Sequence, residues 1–286
     1  MAAQLDIYVE NLRSFAAVRE YTLKLLLPGL TRAGISYRLL SRFDPSDIGR
    51  CALFHIDLTD VPDEFAGLHA AYEKTINGRA STILRTLYST AGLKRGDAHE
   101  GPVIVKTLLN SGGHPERRYG KNRNIGTRTA YQVRKLLIPR YKQGLCPPYE
   151  LYESIRDVPE ESWQDERLVV EKFLPGSFAQ PVVKYRYCFL FETEFNLRTA
   201  YDDLLCSSAR VGGNEIVKAV PEAVMEVRSR LNIDFGAIDY FIVDGKVTII
   251  DANKTVTTAR TWMTRYEFVR DYVDRLTRTL VDFVER

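Results

Sequence analysis

The stretch that most limits what this chain can become runs from Phe235 to Thr255, FGAIDYFIVDGKVTIIDANKT. Two apolar segments, Ala237 to Val243 and Val247 to Asp251, flank Asp244-Gly245, a pair that tolerates positive φ at both central positions of a tight turn. That pattern predicts an antiparallel hairpin. Three oxygen-bearing side chains interrupt it: Asp239 on the first strand, and Asp251 and Asn253 at the end of the second. Residues two apart on a strand point to one face, so Asp251 and Asn253 project together, and pairing can bring Asp239 alongside. Two carboxylates and an amide oxygen make a hard ligand set, suited to Mg²⁺ (or Mn²⁺) bound partly through nucleotide phosphates. The plainer alternative is that these polar groups merely close the end of a hairpin.

Three upstream pieces bear on that choice. Lys106 ends the buried-strand run GPVIVK, where a lysine is costly without an anionic partner such as a phosphate, unless it snorkels from an edge strand. The strand stops at Asn110-Ser111-Gly112-Gly113, a short loop able to aim backbone N–H groups at phosphate oxygens, though an ordinary turn has the same text. Further on, Val169 to Gly176 reads VVEKFLPG, a strand and hinge whose Glu171, Lys172, Phe173 and Leu174 can offer backbone, charge and an apolar wall to an adenine ring.

The chain opens with a β-α-β order. Strands are expected at Leu5 to Val9, Ser36 to Ser41 and Ala52 to Asp57, with a helix from Arg19 to Ala33 stopped at Gly34 and another from Glu73 to Tyr88. Later strands are expected at Pro102 to Leu109 and Arg167 to Phe173, with a hairpin of Val182 to Phe191 and Phe195 to Ala200 joined through Glu192 to Glu194. Glu222 to Leu231 reads as a helix. Trp262, Tyr266, Val269, Val273, Leu276, Leu280 and Phe283 fall on one helical stripe, which suits a helix packed on its own domain better than a homodimer seam. With 45% hydrophobic and 27% charged residues, no secretory start and no membrane-length apolar run, the expectation is a cytoplasmic chain. Cys51, Cys146, Cys188 and Cys206 lie far apart and read as free thiols.

Taken in this order, Lys106, Gly112-Gly113, Glu171 to Leu174, Asp239 and the Asp251-x-Asn253 spacing resemble the ATP-grasp superfamily. The resemblance covers roughly residues 101 to 260, and its specific part is the D-x11-D-x-N hairpin. It implies an α+β, α/β architecture: residues 1-95 as an N-terminal α/β (pre-ATP-grasp) domain, 96-175 as a mobile small lobe, and 176-286 as a C-terminal mixed-sheet lobe. It implies ATP and Mg²⁺ as cofactors, with Lys106, Ser111, Gly112 and Gly113 on the phosphates. Glu171 to Leu174 would hold the adenine, and Asp239, Asp251 and Asn253 the metal. The family's arginines after the hinge and before the metal hairpin point to Arg186 and Arg210 as catalytic, with Lys184 and Arg198 as competitors. Two departures stand out. Asp251 replaces the usual glutamate, and Lys254-Thr255-Val256-Thr257 replaces small residues followed by Pro-Gly.

The activity this implies is carboxylate–amine ligation through an acyl-phosphate, on small-molecule carboxylate and amine substrates. A kinase on the same lobes and a non-catalytic nucleotide-binding protein are the alternatives. His114 to Lys142 carries nine Lys and Arg against Glu116 alone, but a lid over a polyanionic nucleotide accounts for this without nucleic acid. Anchors for P-loop, Rossmann dinucleotide and α/β-hydrolase chemistry are missing. His55 and Asp57 face the same way at a predicted strand end. They either border the substrate site or stand as a satisfied structural histidine beside a loop.

Overall fold

The computed structural model describes residues 4–119, 149–177, 181–202, 206 and 211–286. Its first sheet is wholly parallel, in the order β2-β1-β3-β4, and comprises β1 (Leu5–Val9), β2 (Tyr37–Leu40), β3 (Cys51–His55) and β4 (Lys74–Ile76). Every residue of β1 is buried, as a central parallel strand covered on both faces requires. Leu5, Ile7 and Val9 join a core with Leu26 and Leu30 of α2 (Leu23–Arg32), while Tyr8 joins a second with Phe54 and Phe65 on the opposite face. A short α1 (Leu12–Ala17) intervenes, capped by Asn11, whose side chain accepts from the N–H groups of Arg13 and Ser14.

The second sheet is antiparallel, with β5 (Val103–Thr107) between β6 (Glu150–Tyr152) and β7 (Leu168–Lys172). The third, of order β10-β9-β8-β11-β12, comprises β8 (Val182–Leu190), β9 (Thr193–Tyr201), β10 (Val211–Ile216), β11 (Phe235–Val243) and β12 (Lys246–Asn253). Short helices α3 (Arg85–Tyr88), α4 (His114–Tyr119) and α5 (Glu160–Gln164) precede it, α6 (Glu222–Arg230) leads into β11, and α7 (Arg260–Arg265) and α8 (Glu267–Glu285) close the chain. The expected mixed α/β architecture is present. None of the described helices is long and apolar enough to cross a membrane.

Three local expectations are corrected. Glu73 to Tyr88 is not one helix: Lys74–Ile76 pairs parallel with β3, Asn77 turns the chain at φ 59°, and only Arg85–Tyr88 is helical. The β8–β9 turn is Phe191-Glu192, with Thr193 and Glu194 already in the strand, because Phe191 takes the positive φ of 50°. The terminal stripe breaks at Tyr266, which is extended at φ −122°. Val269, Tyr272, Val273, Leu276, Leu280 and Val284 of α8 are buried in the core shared by α2 and β9, so this face of the helix packs on its own chain.

Asn77 ties the parallel sheet to the five-stranded one. Its side-chain oxygen accepts from Asp234 and Phe235 N–H at 2.8 and 2.9 Å, and its amide donates to the carbonyls of Phe235 and Lys254 at 2.8 and 3.2 Å. Asn77→Ala leaves several of these buried groups unpaired and is expected to cost about 2–4 kcal/mol of stability. A urea midpoint equal to the parent's would contradict that expectation.

Candidate functional site

In the register of the five-stranded sheet, Arg186 of β8 lies opposite Asp239 of β11, and Asp239 opposite Asp251 of β12. Directly opposed residues share a face, so the three form one row across neighbouring strands, with Asn253 two residues beyond Asp251. A bulge makes this arrangement compatible with the core. Asp239 pairs with Asp251 but Tyr240 pairs with Ile249, leaving Ile250 as the extra residue. Ile249 thereby stays in the apolar core with Tyr240 while Asp251 faces the site. The unpaired carbonyl of Ile250 receives Arg85 Nη1 at 2.6 Å. Gly236, near the start of β11, lets the end of β12 approach; a Cβ there would sit 2.5 Å from the Asn253 carbonyl oxygen.

Asp239 is buried and receives Arg186 Nη1 at 3.0 Å and Lys184 Nζ at 3.4 Å. Burial opposes its ionisation, but those two cations outweigh it and hold the carboxyl below the ordinary range. Asp251 receives Arg85 Nη2 and the Tyr88 hydroxyl, both at 3.3 Å, and Asn253 Nδ2 at 2.9 Å. Asn253 Oδ1 in turn accepts from Asn110 Nδ2 at 2.8 Å, which links the hairpin to the start of the glycine loop.

The three-stranded sheet is linked to the row through Asn110, which follows β5, and through Arg85. Lys106 Nζ forms an ion pair of 2.8 Å with Glu171, a fully buried residue whose other oxygen accepts from Ser89 at 2.5 Å. Burial pushes the Lys106 amine down and Glu171 only partly restores it; for Glu171, Lys106 and Arg85 outweigh burial and hold the carboxyl low. The strap from Arg85 to Leu93 spans both sheets. Thr90 bonds Ile249 on one side, while Ala91 and Leu93 bond Lys172 and Val170 on the other. After β5, Ser111, Gly112 and Gly113 take φ of 48°, 64° and 68°, a left-handed run that two glycines make affordable.

A cavity of about 290 Å³ opens beside this row, lined by Ser111, Arg186, Asp251 and Asn253 and, from the parallel sheet's side, by Tyr21 and Asp57. Thr255 Oγ1 donates to Asp57 at 2.7 Å, and Thr22 N–H donates to the Val256 carbonyl at 2.8 Å. The unusual text after Asn253 therefore docks the hairpin onto the N-terminal sheet. Behind it, Lys254 is 1% exposed, and burial lowers its amine to about 8. His55 is buried edge-on against Phe15 and Tyr21, with neither ring nitrogen bonded among the described residues, and burial lowers it to about 3. It does not line the cavity, whereas Asp57 does.

Glu10, at the end of β1, accepts from Asp57 N–H at 3.0 Å and is pushed up to about 7 by burial. A carboxyl raised in the folded state favours folding below its unfolded value and loses that contribution as pH climbs through 7. Between pH 5 and 8 the parent should lose on the order of 2–3 kcal/mol from this group. Glu10→Gln should flatten that part of the stability profile; an unchanged slope in urea melts would refute the assignment.

Some expected residues do not gather here. Lys172 is exposed, and the N–H groups of Lys172 and Phe173 are bonded to the carbonyls of Ala91 and Pro102, so these two donors are not open to an adenine ring. The strand pairing continues further than the hinge reading assumes. Phe173 packs with Ile104, and Leu174 with Val182 and Tyr201. Arg210 and residues 120–148, most of the basic stretch, lie outside the described residues. Nothing in the sequence singles out Arg85, Tyr88 or Ser89, and Asn110 stands out only as the start of the glycine loop, not as a partner of Asn253. The Lys254–Thr257 departure was the visible signal for the docking segment.

Among the described residues no three His, Cys, Asp or Glu side chains converge to hold a metal by themselves. Asp239, Asp251 and the Asn253 oxygen supply two carboxylates and an amide. Such a set fits Mg²⁺ when phosphate and water oxygens complete the shell. Around it stand four cations (Arg85, Lys106, Lys184 and Arg186) against three acids (Glu171, Asp239 and Asp251). The cationic surplus suits a metal-bound polyphosphate.

The chain has the ATP-grasp fold. It covers 100% of the ATP-grasp ligase PsnB complexed with minimal precursor, Mg and ADP, and is itself covered in full, with a TM-score of 0.55 at 11% identity. PsnB with precursor peptide PsnA2 and AMPPNP gives 0.53 at 11% identity and 100% coverage of both chains. The D-alanine–D-alanine ligase of Bacillus anthracis matches over 98% of this chain and 99% of its own, at 12% identity and a TM-score of 0.49. No family model and no curated protein matches the sequence.

Proposed function

We propose that the protein is an ATP- and Mg²⁺-dependent ligase that activates a substrate carboxylate and joins it to an amine. The observation that carries this reading is the in-register row Arg186–Asp239–Asp251, with Arg85 standing between Asp251 and the Lys106–Glu171 pair. Bound there, the nucleotide supplies the γ-phosphoryl group that turns the carboxylate into an acyl-phosphate, from which the amine displaces phosphate as it loses a proton. In this reading Asp239, Asp251 and Asn253 hold the metal. Lys106 and the backbone of Ser111 to Gly113 hold phosphates, the apolar side chains of Phe173 and Leu174 wall the base, and Arg186 with Lys184 neutralises charge that develops at the transferred group. Arg210 keeps the second-arginine role in the proposal. The protein positions and neutralises, so no covalent nucleophile is needed.

Hydroxylamine provides the test, because it intercepts an acyl-phosphate as a hydroxamate. With a panel of small carboxylic acids, Mg²⁺ and ATP, the expected result is ADP and hydroxamate in equal amounts. A stable phosphate ester would make the protein a kinase. Nucleotide binding with no turnover on any acid would make it a non-catalytic binder.

A further inference from the structure

We infer that the cavity beside the row takes a small dianionic acid, and that Arg118 reads the carboxylate that is not activated. This rests on the ligase reading, in which Arg186 neutralises the charge that develops as the other carboxylate is phosphorylated. Arg118 comes from α4, directly after the glycine turn, and lines the same 290 Å³ cavity from the side of the parallel sheet. Its Nη2 donates to Asp57 Oδ2 at 2.8 Å, which fixes the guanidinium plane. Asp57 has little capacity left, since its Oδ2 also accepts from the Tyr21 hydroxyl at 2.5 Å and its Oδ1 from Thr255. Arg118 is in the opposite condition. Its Nε has no hydrogen-bond partner among the described residues.

The Arg118 side chain is a third exposed where it lines the cavity, and a carboxylate is the planar acceptor that a guanidinium fork fits in two places at once. The neighbouring acids do not supply one. Glu10 and Glu116 do not line the cavity, Glu10 is turned to the Asp57 N–H, and Glu116 Oε1 accepts from Thr59. Glu116 Oε2 is buried and likewise without a partner among the described residues, but Glu116 lies off the cavity lining, where Arg118 stands. Arg118 is held by Asp57 of the N-terminal sheet and Arg186 by Asp239 of the hairpin, so two guanidinium groups with separate anchors face one small cavity. A diacid satisfies both. A simple amine or a monocarboxylate leaves Arg118 unmet.

The experiment titrates the full-length protein, first with AMPPNP and Mg²⁺ and then, once saturated, with succinate and glutarate against their monoamides, succinamate and glutaramate. The monoamides keep the size and one carboxylate and lose the second charge. A diacid is expected to bind at least about tenfold more tightly than its monoamide, the effect of one charge-assisted contact. Arg118→Gln should abolish that preference, and Arg118→Lys, which keeps the charge without the fork, should retain part of it. The nucleotide titration of each variant shows that it has folded. Equal binding of diacid and monoamide, no binding of any diacid to the nucleotide-loaded protein, or an unaltered preference in Arg118→Gln would each overturn the inference while leaving the ligase reading in place. Absence of AMPPNP binding to the parent would remove both.

Discussion

Asp239→Asn is expected to lower Mg²⁺-dependent ATP turnover by at least about a hundredfold, the scale of losing a group that holds a catalytic metal and orients charge on the transferred phosphoryl. Asp239 sits between Asp251 on one strand and Arg186 on the next, and it also accepts from Lys184. Asparagine keeps the size and one acceptor oxygen but supplies no charge to a divalent cation. The variant also leaves two half-buried cations without their counter-ion, which destabilises the empty protein. A metal-free polyphosphate would replace that lost anion, so AMPPNP without Mg²⁺ should stabilise the variant more than it stabilises the parent. Thermal unfolding with and without nucleotide, beside turnover, separates these two consequences. Unchanged turnover would remove Asp239 from the site.

The second large effect concerns Lys106. Glu171 is fully buried, and its ion pair with Lys106 is 2.8 Å long. Lys106→Met removes the cation and leaves a carboxylate with only Ser89 and the more distant Arg85 to support it. Breaking one side of a buried pair costs about 3–5 kcal/mol. The double variant Lys106→Met, Glu171→Gln has no stranded charge and should recover most of that stability. It should not recover activity, because the phosphates have lost their lysine. A pair that served the fold alone would give a double variant whose turnover returned along with its stability.

The hairpin was legible because three constraints in the text agreed. Asp244-Gly245 demands a turn, the flanking residues are apolar enough to be strands, and the spacing of Asp251 and Asn253 fixes a shared face. The structure places Asp244 at φ 49° and Gly245 at φ 74°, and the row follows. The bulge at Ile250 was not legible, since nothing in VTIIDAN distinguishes the residue that is left over. Arg85 was hidden for the same reason. It is recruited by a carbonyl that exists unpaired only once the bulge has formed.

Long-range polar partners account for the other misses. Glu73 to Tyr88 carries helical periodicity, yet Asn77 gains more from Asp234, Phe235 and Lys254, over 150 residues away, than a helix would give it. The text after Asn253 departs from the resemblance, and the reason is spatial. Thr255 reaches Asp57, and Thr258 N–H donates to the Glu20 carbonyl at 2.7 Å, so the segment works as a seam between two sheets. In VVEKFLPG nothing local shows that Ala91 and Pro102 take two of the donors an adenine hinge would use. Local text describes a strand's faces well and its neighbours poorly.

Calorimetry with AMPPNP, in EDTA and in Mg²⁺, on the parent and on Asp251→Asn, probes the metal row without requiring the substrate. The parent should bind the nucleotide at least about tenfold more tightly with Mg²⁺ than without it, a gain of roughly 1.4 kcal/mol or more, and Asp251→Asn should lose that gain while still binding the metal-free nucleotide. Affinity that ignores Mg²⁺ in the parent, or a gain that survives intact in Asp251→Asn, would contradict a metal held between β11 and β12.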